Sequence, residues 1–201
     1  MKKCFTVLFI MVGLWYVRDN QVSAQVTGTK TIPGDYSTLA QAVTDLNTVG
    51  VGAGGAVIEM QQSEEAPAGG YLLGSAILNA SLSAANPLVI NGNGNTLTAF
   101  TGTTGSTDGI FKILGADHVT IDALHLAENP ANTNATTRME WGYALLKLNG
   151  TLPYDGCQHV TIRNCTIALN YTTGTVVGIR SASHQDGVTT ALSPTGATAD
   201  D

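Results

Sequence analysis

Two stretches decide the fold: Ala116-Asp-His-Val-Thr-Ile-Asp-Ala-Leu-His-Leu-Ala-Glu-Asn129 and Cys157-Gln-His-Val-Thr-Ile-Arg-Asn-Cys-Thr-Ile-Ala-Leu-Asn170. They align at an offset of 41, and His-Val-Thr-Ile is identical in both. Val119, Ile121, Leu124 and Leu126 answer to Val160, Ile162, Cys165 and Ile167. Upstream, Phe111-Lys-Ile-Leu-Gly115 matches Leu146-Lys-Leu-Asn-Gly150 at an offset of 35, which leaves six extra residues, 151–156, in the second copy. A longer insertion, 130–141, separates the copies, and a third copy begins at Val177-Gly-Ile-Arg180. Without insertions the unit is residues 109–129, and it holds three short apolar runs. So small a unit cannot bury its apolar side chains alone, whereas stacked units share a continuous core. The expected architecture is all-β, a parallel β-helix (solenoid) with one unit per coil. Val119 should lie above Val160 and Ile121 above Ile162, at ~4.8 Å.

Outside the repeat the chain alternates short apolar runs with Gly, Asn, Ser and Pro. Ala56-Val-Ile-Glu-Met60, Ala76-Ile-Leu78, Pro87-Leu-Val-Ile90, Gly109-Ile-Phe-Lys-Ile113 and Ala144 to Leu148 read as further strands. One segment differs. In residues 35–47, Leu39, Val43 and Leu46 fall at i, i+4 and i+7, the spacing of an amphipathic helix, with Asp35 or Ser37 as its N-cap. One helix followed by many strands is not a βαβ pattern.

At the N-terminus, Lys2 and Lys3 precede an apolar run over residues 5–17, and Val22-Ser-Ala24 supplies small residues before Gln25. This is the layout of a secretory signal peptide, residues 1–24. Residues 25–36 then form an N-terminal leader, and 37–201 the β-helix. The expected location is extracellular or at the cell surface. No later run is long and apolar enough for a bilayer, so no membrane insertion is expected after signal removal.

Losing the signal takes the 9 basic residues to 6 and the 15 acidic residues to 14, a net charge of −8. Such a surface repels nucleic acid. Of the three cysteines, Cys157 and Cys165 remain. They fall on successive strands around a bend, too far apart for a bridge that needs Cα atoms within about 7 Å, so two free thiols are expected.

The segment Gly34-Asp-Tyr-Ser-Thr-Leu-Ala-Gln-Ala-Val43, followed by strands and Asn-rich coils, resembles the start of pectin-lyase-like right-handed β-helices. Residues 29–187 look most like the large bacterial β-helix proteins exported by the type IX route. The resemblance implies a right-handed solenoid whose open end is closed by the early helix. It also implies a C-terminal sorting domain. The sequence stops soon after a coil begins, so it is expected to be truncated, with downstream coils of the same protein as its neighbours.

The resemblance concerns architecture, not reaction. Polygalacturonase-like hydrolases carry paired Asp residues and Gly-His-Gly, and pectin methylesterase-like proteins carry Gln-Asp-Thr and Asp-Phe-x-Phe-Gly. None of these occurs here, and Asp108-Gly-Ile-Phe111 matches the last only superficially. No catalytic residue is assigned. Asp117, Asp122 and Glu128 share a coil without partner carboxylates in the next, so Ca²⁺ is a weak candidate; the spacing of Cys157 and Cys165 does not suggest zinc, and the four scattered His residues do not supply it, so no cofactor is expected. The register pairs His118 with His159 as an outward column, and Asp122 with Arg163 as an ion pair. Asn129 and Asn170 fall at turns, where Asn tolerates the left-handed conformation.

Insertions in a solenoid stand out at its turns and are where recognition is sought. The first carries Arg138, Glu140 and Trp141, and the second Tyr154 and Asp155. An aromatic face beside polar groups suits a sugar. These five residues are therefore the candidate ligand-binding set, provided the rings are open rather than pinning their loops. The expected function is non-catalytic recognition of a polysaccharide or another cell-surface ligand. The alternatives are a polysaccharide lyase or hydrolase whose active coils lie outside this segment, and a structural stalk or adhesin.

Overall fold

The computed structural model describes residues 24–103, 107–171 and 176–192. The signal segment 1–23 and the end of the chain from 193 lie outside the described residues. In chain order the elements are β1 (Val26–Ile32), α1 (Leu39–Val49), β2 (Val51–Met60), β3 (Glu64–Glu65), β4 (Tyr71–Leu73), α2 (Ala76–Ser81), β5 (Leu88–Asn91) and β6 (Thr96–Thr98). Then follow β7 (Gly109–Leu114), β8 (Val119–Asp122), β9 (His125–Ala127), β10 (Trp141–Lys147), β11 (Thr161–Arg163), β12 (Ile167–Ala168) and β13 (Val177–Gln185). Among the described residues the structure is thus mostly β, with two short helices. The strands form three sheets, ordered β1-β2-β5-β8-β11, β12-β9-β6-β3 and β13-β10-β7-β4. Every strand pair in them is parallel. From β2 onward the chain visits the first, second and third sheets in that fixed order, four times over.

Side chains of one strand point alternately in and out, so parallel pairing in register builds columns of like residues. Ile58, Ile90, Ile121 and Ile162 form one such column in the first sheet. Leu97, Leu126 and Ile167 form one in the second. Tyr71, Phe111 and Tyr143 stack in the third, with ring centroids 5.6 and 6.0 Å apart. The offset of 41 holds in both sheets it concerns, since Ile121 pairs with Ile162 and Leu126 with Ile167. Burial then fades along the stack. Val119, Ile121, Leu124 and Leu126 are inaccessible, while Val160, Ile162, Cys165 and Ile167, in and beside the edge strands β11 and β12, are half-buried.

At the opposite edge of the sheets α1 packs against α2, β4, β1 and β2. Leu39, Ala42, Val43 and Leu46 are buried, as the apolar spacing requires. Thr38, not Asp35 or Ser37, is the N-cap, its side chain accepting from the Gln41 amide. The Gln41 carboxamide in turn accepts from the Ser37 amide at 2.8 Å, one residue displaced from a capping box. Gly50 ends the helix at φ 75, where any side chain would be strained. Asn47 reaches from the helix to edge strand β4, donating to the Leu72 carbonyl at 2.8 Å and accepting from the Gly74 amide at 2.9 Å. Edge groups that would otherwise be open are satisfied in this way.

Several expectations need correction. The run at Ala76 is not a strand but α2, because the Ser75 hydroxyl caps it by accepting from the Leu78 amide. The leader segment 25–36 contains β1, the first strand of the first sheet. In the third sheet Phe111 pairs with Tyr143, an offset of 32 rather than 35. Against the 41 of the first sheet, the second copy therefore gains nine residues between β10 and β11, not six. Trp141 belongs to β10 rather than to the insertion before it. The left-handed positions are also elsewhere: His118 and His159 enter the first sheet at φ 51 and 52, while Asn93, Ala123 and Asn164 leave it at 53, 49 and 56. Asn129 and Asn170 act instead through their carboxamides, which donate to the Ala99 and Asn132 carbonyls at 2.9 Å each.

Candidate functional site

The five expected ligand residues do not come together. They divide between the two ends of β10, which spans about 20 Å at ~3.3 Å per residue. At its start, Arg138, Glu140 and Trp141 are all buried. The insertion folds back on the stack: Asn132 donates to the Phe100 carbonyl at 3.0 Å and to Glu128 at 2.7 Å, and Glu128 also accepts from the Met139 amide. Glu140 accepts from the Asp108 amide at 3.1 Å. Burial pushes its carboxyl above the usual range, and the Asp108 carboxylate adds to that. Trp141 is 4% exposed, packed with Ala144 and Leu146. Arg180 of β13 lies 5.2 Å from its ring centroid, and the His184 ring 5.8 Å away. A ring covered on this scale is a pin, so the open aromatic face expected for a sugar is not at Trp141.

The other end of β10 is different. Three successive turns run from the third sheet to the first, and their lengths set the local relief. Residues 74–87 carry α2, residues 115–118 are a tight turn, and residues 148–160 form a long loop. A short turn between two long ones leaves a gap. It is a cleft of about 400 Å³, with Gly115 and Asp117 as floor, Ala76, Asn79 and Ala80 as one wall, and Leu148, Asn149 and Asp155 as the other. The loop is held by its own polar groups. Asn149 accepts from the Asp155 amide at 2.9 Å and donates to the Pro153 carbonyl, and the Leu148 amide donates to the Asp155 carbonyl. Across the gap, Asn79 donates to Asp155 at 2.7 Å and to the Leu114 carbonyl at 3.0 Å. Tyr154 is half-buried and does not line the cleft.

Asp155 is thus the one expected residue that lines the cleft, and Asn79, Asp117 and Asn149 join it. Asn79 and the helix carrying it were missed because three apolar residues cannot tell strand from helix. The Gly74-Ser75 pair before them is a cap signal that could have revealed it.

The carboxylates weighed for calcium are engaged by protein donors. Asp117 accepts from the Gln158 amide. Asp122 accepts from Arg163 at 2.8 Å and from Asn164, and these hydrogen bonds, Asn164 foremost, hold its carboxyl below the usual range. Cys157 and Cys165 are both free thiols. No family model, no curated protein and no solved structure matches the chain.

Proposed function

We propose that this chain is a right-handed parallel β-helix module, exported by residues 1–24, that binds a neutral glycan in the cleft between α2 and the loop 148–160. Support for the solenoid comes from the three parallel sheets visited in fixed order and from the in-register apolar columns. The observation that carries the functional reading is the convergence of four polar side chains from three segments, Asn79 on α2, Asp117 in the turn 115–118, and Asn149 and Asp155 in the loop 148–160, on one open cleft. Carboxamides and carboxylates together offer donors and acceptors for hydroxyl groups. Their coils are packed into the stack, so the lining is held in place before a ligand arrives. The net charge of −8 after export argues against a polyanionic glycan.

The test is a glycan array with the purified protein, followed by Asn149→Ala and Asp117→Asn. Each variant should weaken binding of a neutral glycan by about 1–2 kcal/mol, the scale of a lost hydrogen bond to a polar ligand; because Asn149 also ties its loop and Asp117 the Gln158 amide, binding is measured well below each variant's own unfolding midpoint. Glycan binding unaffected by both variants moves the site elsewhere. No glycan binding leaves the stalk reading.

A further inference from the structure

Where the cleft floor meets the first sheet, two side chains keep their polar atoms unused. Asp117 lines the floor, and His118 is the next residue, ~3.8 Å further along the chain. His159 stands at the end of the loop 148–160, the second wall, and answers to His118 in register, since Thr120 pairs with Thr161. The two rings stack, centroids 4.5 Å apart and planes 13° from parallel. Stacking occupies ring faces, whereas imidazole nitrogens hydrogen-bond in the ring plane. Among the described residues no hydrogen bond takes up the ring nitrogens of either. The other two histidines differ. His125 accepts from the Thr166 amide through Nδ1 at 2.9 Å, and both nitrogens of His184 face protein partners, the Gln185 carbonyl and the Arg180 guanidinium.

We propose that His118 and His159 form a second subsite of the glycan cleft, which takes the hydroxyl groups of the next sugar unit along a chain. The inference rests on the glycan reading of the cleft and extends it from one sugar to an oligosaccharide. The walls of the cleft stand on the neighbouring turns, so a chain lying on the floor leaves along it, and towards the first sheet that path passes His118. On the two preceding coils the same column holds Pro87 and Gly55, which carry no polar side-chain atoms. Polar side chains thus enter the column only at the floor turn and at the second wall.

A neutral imidazole offers one N–H donor and one acceptor, so the pair suits hydroxyl groups, which both donate and accept. His118 is half-buried and His159 exposed, so a ligand can reach them. The backbone beneath is fixed. The His118 amide donates to the Gln158 carbonyl at 3.1 Å, and the His118 carbonyl accepts from the Leu88 amide at 3.1 Å. The two ring edges are therefore held side by side before a ligand arrives, which lowers the ordering cost of binding.

The experiment is calorimetric titration of the purified protein with unbranched neutral gluco- and manno-oligosaccharides of one to six units, each variant being held well below its own unfolding midpoint. For the parent, affinity should rise with length and level off once the second subsite is filled. His118→Gly and His159→Gly remove the ring at positions whose φ of 51 and 52 glycine accepts. Each should weaken the longer oligosaccharides about 3- to 10-fold, the factor for one lost hydrogen bond, and leave the shortest that binds within about 2-fold. The double variant should bind all lengths alike. In spectra of isotope-labelled protein, the ring nitrogens of His118 and His159 should shift with the hexasaccharide and not with the monosaccharide. His125→Gln should change nothing, and Asn149→Ala, in the cleft itself, should weaken every length. An Asn149 effect without a His118 or His159 effect overturns the second subsite and keeps the cleft. Equal losses on short and long chains in the His→Gly variants overturn it as well. Binding of none of these oligosaccharides overturns the subsite together with the cleft reading.

Discussion

Ile121 and Ile162 are paired residues in one column of the first sheet, and the sequence treats them as equivalent. The structure does not. Ile121 is wholly inaccessible, with Ile90 on one side and Ile162 on the other, whereas Ile162, in the edge strand β11, is half-buried. Cutting isoleucine to alanine removes three carbons, about 2.4 kcal/mol of transfer free energy at ~0.8 kcal/mol per methylene group. At Ile121 the cavity left behind is enclosed, so Ile121→Ala should cost about 3–4 kcal/mol. At Ile162 the larger part of the side chain is covered but the space left opens to water, so Ile162→Ala should cost no more than about 2 kcal/mol, the transfer contribution without that of an enclosed cavity. Urea unfolding followed by circular dichroism measures both, with an unchanged slope showing that the same surface is exposed in each variant. Should Ile121→Ala prove too unstable to purify, Ile121→Val against Ile162→Val gives the same comparison at ~0.5–1.5 kcal/mol for the buried member. Equal costs at the two positions would refute the reasoning, because they would mean that coverage of the column does not fade along the stack.

Two further predictions concern titratable groups. Glu64 occupies an inward position paired with Leu97, under α1, where it accepts from the Leu39 amide at 3.0 Å and from the Tyr71 hydroxyl. Burial nevertheless dominates and lifts its carboxyl above the usual range. The folded state therefore holds that proton more tightly than the unfolded one, and stability falls as pH rises from the ordinary carboxylate value to the raised one. Glu64→Gln should match the parent in acid and exceed it in stability above that window; a constant difference across pH would contradict this. At Cys157, burial pushes the thiol up to about 11, outweighing backbone hydrogen bonds that favour the thiolate, Gly115 first. Alkylation of the native protein at pH 8 should spare Cys157 while the less covered Cys165 reacts, and unfolding should abolish the difference; equal native rates, read by peptide mass mapping, would count against it.

The register of the first two sheets was legible because the repeated inward residues are followed by the same short turns in both copies. The third sheet was not. Phe111-Lys-Ile-Leu-Gly115 resembles Leu146-Lys-Leu-Asn-Gly150 in composition, yet that alignment is three residues from the true one. An odd shift places an inward residue over an outward one. Aligning Phe111 with Tyr143, aromatic on aromatic, was the signal available. Trp141 was misread for the same reason: once β10 begins there, its ring belongs to the packed outer face crossed by Arg180 and His184 rather than to a free loop. Nothing in the local sequence of residues 130–140 says that the loop folds inward, since Asn132, Glu128 and Asp108 have partners far along the chain.

The cleft follows from the same geometry as the core. Asn79 and Asp155 are 76 positions apart, and they meet because each lies in an excursion at the same corner of the stack. The strands on either side of that corner are held in parallel register, so extra residues there can only stand outward. Relief at the corner is then set by turn length alone, and the intervening turn is the shortest of the three. Gly115 makes that floor close-fitting: a Cβ there would lie 2.8 Å from the Asp155 carboxyl carbon and 2.9 Å from the Asn79 amide nitrogen. Its φ of 65 disfavours a side chain in any case. A one-residue slip of β8 would turn Val119 and Ile121 out of the core, and the same slip would carry Asp117 away from the Gln158 amide that fixes it. The burial of the columns thus holds the cleft floor in place as well, and the corner, where no column constrains the chain, is where a new wall can be added without cost to the core.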